Sequence, residues 1–464
     1  MPLSDIMLFA ANTLYFSHYG YFTFRSKYII LFAVAKQGFY MATEYKRWLA
    51  ENVKEALKLR RVVVISGARQ TGKTTLSEQI LAQTGDHRSL DDTDMLDFAL
   101  SDPKGFVMNK TGTLNDPKNR GFPNTMVIDE IQKAPKLIPE IKRIVDKDNS
   151  PGQYLLTGSA NILSLPLISD SLAGRVKYTR LRPLTVGEIL GKKPGFLQRA
   201  FGKDFPGRVS GYNKADIIDL AFRGGYPEAV AIDNLRHRKD WHMDYLTAII
   251  NRDLKDIANI RRQDVLQSLF EILASWSAKF MEVSQISSAL SVNKITLDSY
   301  INTLVSMFMF EKVAPWLKTD YERIGKRSKF YSTDTGIMTS VLGWNPKDVF
   351  VNEDRSGKLI ETFVFQELAA NIDFENKYNL FQYRDRTDRE IDFLVEHEDG
   401  TLLGIEVKAG HNVSRKDFAP QEWFAENILK NKQPYIGIVL YSGDRTIRYS
   451  KNLLAVPTAA LWCV

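Results

Sequence analysis

The sequence predicts a multidomain α/β protein, on three observations. Residues 62–81 pass from a continuous β-branched run through a glycine-rich loop into a helix, and further apolar strands follow at 126–128, 154–156 and 176–181. Residues 283–332 read as two helices around a short turn, followed by two strands. Residues 357–408 read as an amphipathic helix followed by a hairpin with its turn at Asp399-Gly400. At 464 residues the chain has room for about three domains, each with its own core.

Composition excludes more than it selects. Hydrophobic content of 44% and charged content of 25% are those of an ordinary soluble globular protein. A net charge of +7 suits a polyanionic partner, but an excess this mild over this length is also an ordinary soluble surface. The one cysteine, Cys463, excludes an internal disulfide framework and a cysteine-rich zinc site, and fits a reducing cytoplasm. The six histidines show no metal-ligand spacing.

Residues 1–40 are expected to be a leader or a mis-assigned start, with the functional chain opening at Met41. Ile6–Phe24 lacks Asp, Glu, Lys and Arg over 19 positions, but Asn12, Thr13, Ser17, His18, Gly20 and Thr23 interrupt it as a membrane helix. Asp5 rather than a basic cluster precedes it, and no small-residue cleavage site follows, so a signal peptide is not indicated. No stable membrane association is expected.

After an amphipathic helix on Tyr45, Trp48, Leu49, Val53, Ala56 and Leu57, the strand Val62–Ile65 runs into Gly67-Ala68-Arg69-Gln70-Thr71-Gly72-Lys73-Thr74, which matches G-x-x-x-x-G-K-[ST]. Such a loop brings backbone N–H groups and a helix N-terminus up to phosphates. Lys73 then neutralises the β- and γ-phosphates of ATP, the Thr74 hydroxyl joins the shell of Mg²⁺, and Thr75 completes the binding set. In "TMVIDEIQKAP" an apolar strand ends in Asp129, placed to hold Mg²⁺ through water, and Glu130, placed to polarise the attacking water as general base.

Two further strands follow, "QYLLTGSANIL" and the one after "SLAGR". The order of P-loop, "VIDE", "LLTGSA" and "GRV" resembles the prokaryotic AAA-type ATPases that carry an uncharacterised C-terminal domain. That resemblance implies a P-loop AAA-like parallel sheet with helices. It makes Ser159, or Thr157, the sensor of the γ-phosphate, and Arg175 a finger on a neighbour's nucleotide, with a surface salt bridge as the alternative. It implies a homo-oligomer or a protein partner.

In the middle, "RGGYPEAV" supplies a tight turn through Gly224, Gly225 and Pro227. "EVSQISSALSVNKITLDSYINTLVSMFMFEKVAPW" has helix-turn-helix spacing, with Ser284 as the expected cap and Leu297, Tyr300, Ile301 and Leu304 on one face. The strands "KVAPW" and "KFYSTD" supply a wing, and Arg323, Lys326, Arg327 and Lys329 between or on them are charges able to meet DNA phosphates. A protein-binding module with a solvated basic loop is the alternative.

In "REIDFLVEHEDGTLLGIEVKAG", strand alternation puts Glu406 and Lys408 on one face, and hairpin pairing brings Asp392 to them. This constellation, after a helix, resembles the PD-(D/E)XK nucleases and implies a restriction-endonuclease-like α/β domain. By that resemblance Asp392 and Glu406 are metal ligands and Lys408 is the catalytic lysine, which positions or deprotonates water. Glu361 is the matching acid of the preceding helix, with Glu367 and Glu390 as alternatives. The expected organisation is a leader (1–40), an AAA-like core (41–190), a helical connector or lid (191–260), a winged-helix-like domain (261–345) and a nuclease-like domain (350–464). The expected function is ATP binding and hydrolysis coupled to a DNA-acting nuclease-like domain. The alternative is a nucleotide-switched binding or signalling protein with an inactive C-terminal domain.

Overall fold

Five short strands make the first sheet: β1 (Val62–Ser66), β2 (Asp86–Ser89), β3 (Met126–Asp129), β4 (Tyr154–Gly158) and β5 (Val176–Arg180). They belong to a computed structural model that describes residues 44–81, 86–108, 124–159, 172–209, 211–253, 263–317 and 327–463. The expected leader (1–40) and the basic residues Arg323 and Lys326 lie outside the described residues. The sheet is parallel throughout, in the order β2-β3-β4-β1-β5. Its alternation is visible in its packing. Val63, Ile65 and Leu155 pack against the helices Leu49–Leu59 and Lys73–Leu81, while Val62, Val64 and Leu156 pack against Leu137–Lys147 on the other face. All C-terminal strand ends therefore share one edge, which is where parallel α/β sheets bind ligands.

Further along the chain come the helices Gln263–Ser275, Val283–Leu290 and Lys294–Ser306, with β6 (Lys279–Phe280), β7 (Phe310–Val313) and β8 (Lys329–Ser332) in an antiparallel sheet ordered β6-β8-β7. The turn between the second and third helices falls where expected. Ser291 takes a left-handed backbone (φ 52°) to end one helix, and Asn293 caps the next by accepting from the Thr296 N–H at 2.8 Å. Ser284 is not the cap; it sits inside the first turn, after Glu282. The helix Lys294–Ser306 buries Leu297, Tyr300, Ile301 and Leu304 and exposes Ile295, Asp298, Ser299 and Asn302, with Lys294 as its single basic residue.

The last sheet comprises β9 (Tyr378–Arg384), β10 (Glu390–His397), β11 (Leu402–Lys408), β12 (Tyr435–Tyr441), β13 (Ile447–Arg448) and β14 (Leu453–Pro457), in the order β13-β14-β12-β11-β10-β9. The β9-β10-β11 part is antiparallel, and β11, β12 and β14 run parallel. The hairpin turns at Gly400 (φ +84°), as expected. The 23-residue helix Glu353–Glu375 packs Phe363, Phe365 and Leu368 over Phe393, Ile405 and Ile438.

The stretch expected to be one connector is divided between two cores. Phe196, Ile217 and Phe222 join the C-terminal core beside Leu359, Phe363 and Trp462, whereas Tyr245 and Leu246 join the core of the three-helix segment beside Leu266 and Leu269. Among the described residues no helix is long and apolar enough to cross a membrane.

A buried polar joint ties these parts together just past β5. Arg182 donates from Nε to Asp373 Oδ2 (2.6 Å) and from Nη1 and Nη2 to the Glu311 carboxylate (2.9 and 3.1 Å), and Arg180 Nη1 donates to the same carboxylate at 2.6 Å. The Arg182 carbonyl accepts from Arg47 Nη2 (2.6 Å), and Arg47 also donates to Glu188 Oε1 (3.1 Å) and to the Thr71 carbonyl of the P-loop (2.7 Å). The "RGGYP" glycines serve the same joint. Gly225 exchanges bonds with the Leu184 N–H (2.6 Å) and Asp334 Oδ2 (2.8 Å), and a Cβ on it would stand 2.3 Å from the Leu184 carbonyl oxygen.

Burial opposes ionisation of Glu311, but the charges of Arg180 and Arg182 overcome it and hold its carboxyl down at about 2. A carboxyl so depressed stabilises the fold above the ordinary value of 4.5, and that contribution is lost as pH falls toward 2. Glu311→Gln is expected to lower the unfolding free energy at neutral pH by about 2 kcal/mol, because partly buried Arg180 loses its carboxylate and Arg182 keeps only Asp373. It is also expected to flatten the loss of stability on the acid side. Urea unfolding across that pH range checks both.

Candidate functional site

At the C-terminal edge of the first sheet, Gly67 is fixed by packing: the Leu181 N–H donates to the Ser66 carbonyl at 2.8 Å, and a Cβ on Gly67 would lie 2.3 Å from the Leu181 oxygen. Gly72 is fixed by its backbone, at φ +91°, where a side chain is strained. Lys73 folds back over the loop and donates to the carbonyls of Gly67 (3.1 Å) and Ala68 (2.8 Å). Because β4 lies between β1 and β3, its end joins the two halves of the site. Thr74 Oγ1 donates to Asp129 Oδ2 at 2.8 Å, and Thr157 Oγ1 donates to Asp129 Oδ1.

Glu130 has a left-handed backbone (φ 57°, ψ 43°), a region uncommon for a residue with a side chain. Its N–H donates to Thr157 Oγ1 (3.3 Å), and its Oε2 accepts from Ser159 Oγ (3.0 Å) and from Gln132 Nε2. Gln132 also donates to Ser159 Oγ at 3.0 Å. Thr157 therefore serves the Asp129 carboxylate and Ser159 serves Glu130. Gln132 escaped the sequence reading, although a polar residue two places after the acid pair was the available signal. Tyr245 was also missed. Its hydroxyl donates to the Arg69 carbonyl (3.2 Å) and lies 3.2 Å from the hydroxyl of Tyr226, the "GGYP" tyrosine, so the pair backs the loop.

Arg175 lies at the other end of the sheet. It precedes β5, whose five residues put it about 16 Å along the strand from the loop edge. Its Nε donates to Asp146 and its Nη1 to the Ala173 carbonyl (2.9 Å), and the guanidinium holds the Asp146 carboxyl below its usual range.

The second group sits on the C-terminal sheet. A register shift between Ile391 and Leu394 bends β10 at Asp392 and turns its carboxylate toward β11, where Oδ2 accepts from the Val407 N–H at 2.9 Å. Glu406 Oε1 accepts from Lys408 Nζ at 3.0 Å. Of the helix acids, Glu361 faces this cluster and accepts from the Tyr331 hydroxyl at 2.7 Å. Glu367 faces away and accepts from the Val186 N–H at 2.9 Å. The unforeseen member is Lys329. It is 2% exposed, with Nζ 2.6 Å from Glu361 Oε1, 3.1 Å from Asp392 Oδ1, and bonded to Glu390. This corrects its reading as a phosphate-meeting charge; Arg327 remains 68% exposed and pairs with Glu282 at the surface.

Burial and the Asp392 charge push Glu361 up to about 7 and Glu406 to about 8. Burial lowers the Lys329 ammonium, but the charges around it, Glu361 first, leave it well above its ordinary value. Burial also lowers Lys408, and Glu406 more than reverses it, so Lys408 is an ammonium at neutral pH, suited to positioning water and not to deprotonating it.

Thr74 and Asp129 offer the paired hard oxygens that fit Mg²⁺, which takes one or two protein groups alongside phosphates and water. The C-terminal acids do not fit a metal ion as folded, because an ammonium stands among them. Among the described residues no set of three or more acid, histidine or cysteine side chains has metal-holding geometry.

Residues 59–190 match a family model described as AAA domain. The chain therefore carries an AAA-type P-loop domain, consistent with its parallel sheet and with ATP binding. Residues 214–348 and 356–461 match models described as Domain of unknown function (DUF8612) and Domain of unknown function (DUF4143). Relatives named only as uncharacterized proteins are 26% identical: one from Mycobacterium tuberculosis over 415 residues (89% of this chain, 83% of its own length), and one from Methanocaldococcus jannaschii over 358 residues (74% of each). A solved Signal Transduction ATPase with Numerous Domains (STAND) protein with a tetratricopeptide repeat sensor, from Pyrococcus horikoshii, is 13% identical with a TM-score of 0.17. That match covers 71% of this chain, which spans about half (47%) of the other chain's length.

Burial holds the Glu367 carboxyl up at about 8, so the folded state keeps a proton that the unfolded state releases near 4.5. This group makes stability fall as pH rises between those values. Glu367→Gln is expected to match the wild type near pH 4.5 and to unfold at a higher temperature than it above pH 8, as thermal melts across that range would show.

Proposed function

We propose that the protein is an ATP-hydrolysing switch whose nucleotide state is passed through the buried joint to the C-terminal module. The observation that carries this reading is the bonded chain Thr74, Asp129, Thr157, Glu130, Ser159 and Gln132 beside Lys73 in the loop. Lys73 and the loop N–H groups bind the phosphates. Thr74 and Asp129 would hold Mg²⁺, which supplies charge neutralisation on the phosphates. Glu130, fixed by Ser159 and Gln132, orients the attacking water and takes its proton. Arg175 has no part in this assignment, because its partner is Asp146.

Transmission is supported by Arg47, which touches the P-loop carbonyl of Thr71 and the carbonyl of Arg182, and by Arg182, which touches Glu311 on β7 and Asp373 on the long helix. The helix Lys294–Ser306 exposes too little positive charge to favour DNA reading, which supports a protein-binding role for the three-helix segment. Hydrolysis of a phosphodiester by the C-terminal module is the second reading. It is favoured by the convergence of Glu361, Asp392, Glu406 and Lys408.

Lys73→Ala is expected to lower ATP turnover by about a hundredfold or more, through lost stabilisation of the transferring phosphoryl group. Glu130→Gln is expected to keep nucleotide binding while lowering turnover by about a hundredfold. Phosphate release with Mg²⁺, measured beside nucleotide binding, checks both, and full turnover in Lys73→Ala would overturn the ATPase assignment. For the second reading, DNA cutting that Lys408→Ala abolishes is the expected result, and absence of cutting would leave the switch alone standing.

A further inference from the structure

The carboxylate cluster has its centre filled by a side chain from a different sheet. Lys329 opens β8, and its ammonium bonds Glu361, Glu390 and Asp392 at once. Two polar groups nearby on the C-terminal sheet lack a partner. Glu406 Oε2 is buried and unbonded, and so is the hydroxyl of Tyr435, a residue only 7% exposed. That hydroxyl lies over Gly404, the position before Glu406 on the same face of β11, so closely that a Cβ there would be 1.9 Å from it. A buried oxygen left without a partner costs about 1–3 kcal/mol. Carboxylate oxygens in such a state are what a hard divalent cation takes up.

We propose that Lys329 is a built-in cation that competes with a divalent metal ion for Glu361, Asp392 and Glu406, so that metal enters only when β8 withdraws its lysine. The inference rests on the second reading only in treating this cluster as the chemical centre of the C-terminal module. Competition follows from space and charge. An ammonium bonded to Glu361 and Asp392 stands where an ion shared by those carboxylates would stand, and two cations held side by side repel. The strand that carries the lysine also has a physical link to the nucleotide domain. On β8, Tyr331 pairs with Glu311 of β7, the residue that holds Arg180 and Arg182 at the end of β5.

Glu390 separates this proposal from a simple acidic metal site. It bonds the lysine from the partly exposed start of β10, so removing it loosens the lysine; in a simple acidic site, removing a carboxylate weakens metal binding.

The test is Mn²⁺ binding, read by electron paramagnetic resonance on the full chain without nucleotide, for the wild type, Lys329→Met and Glu390→Ala, each with and without Asp392→Asn. If Lys329 fills the cluster more than nine-tenths of the time, Lys329→Met binds Mn²⁺ at least about tenfold more tightly than the wild type. Glu390→Ala gains about threefold, the weight of one partly exposed hydrogen bond. Asp392→Asn cancels both gains. Unchanged or weaker Mn²⁺ binding in Lys329→Met overturns the proposal. Should that variant not fold, Glu390→Ala decides alone: tighter binding supports competition, and unchanged or weaker binding overturns it. Cleavage assays on the same samples keep the two ideas apart. Tighter Mn²⁺ binding without DNA cutting removes the catalytic reading and leaves the competition, whereas Lys408-dependent cutting with unchanged Mn²⁺ binding removes the competition alone.

Discussion

The arrangement depends on the buried ion network of Arg47, Glu188, Arg180, Arg182, Glu311 and Asp373. Its members come from the entry helix, the end of the parallel sheet, β7 and the long C-terminal helix, so one set of charges fixes where three separate cores meet. Such a network need not exceed apolar packing in net stability, but losing one member leaves the buried guanidinium groups of Arg47 and Arg182 with fewer carboxylates to meet. Glu311 is the clearest case, since two guanidinium groups rely on its one carboxylate. The glycines of "RGGYP" belong to the same joint, because only a residue without a Cβ lets the chain pass between Leu184 and Asp334.

The nucleotide site and the carboxylate cluster differ in how they satisfy charge. In the first, hydroxyl and amide groups fix the acids: Thr157 on Asp129, and Ser159 with Gln132 on Glu130. Such donors carry no formal charge of their own, and they hold the carboxylates at the loop edge. In the second, ammonium groups do the work, with Lys329 and Lys408 set against Glu361, Glu390, Asp392 and Glu406. Burial pushes Glu361 and Glu406 toward their neutral forms, and the neighbouring ammonium groups act against that push. One site is therefore built to receive a charged ligand, and the other supplies its own counter-charge.

Several features were legible in the sequence because they are local. The strand-loop-helix around Gly67–Thr74, the acid pair at Asp129 and Glu130, the helix break at Ser291–Asn293 and the hairpin turn at Gly400 each depend on residues a few positions apart. Strand alternation also placed Glu406 and Lys408 on one face correctly. The choice between Glu361 and Glu367 was not local. Both lie on one helix with apolar neighbours a turn away, and only packing decided it: Glu361 faces the sheet cluster and Glu367 faces Val186.

By itself the sequence determined where the phosphate loop and the strands, helix break and hairpin turn around its motifs lie, and which acids could act, because periodicity, glycine and chain proximity are written along the chain. Only the tertiary structure decided which charges meet. Lys329 reads as one more basic residue of a surface loop, yet it is buried among carboxylates encoded 32 to 63 positions later. Glu311 carries no signal in the sequence that sets it apart, yet it neutralises arginines encoded about 130 positions earlier. Charge pairing acts through space between whichever groups folding encloses together, and no sequence pattern records that enclosure.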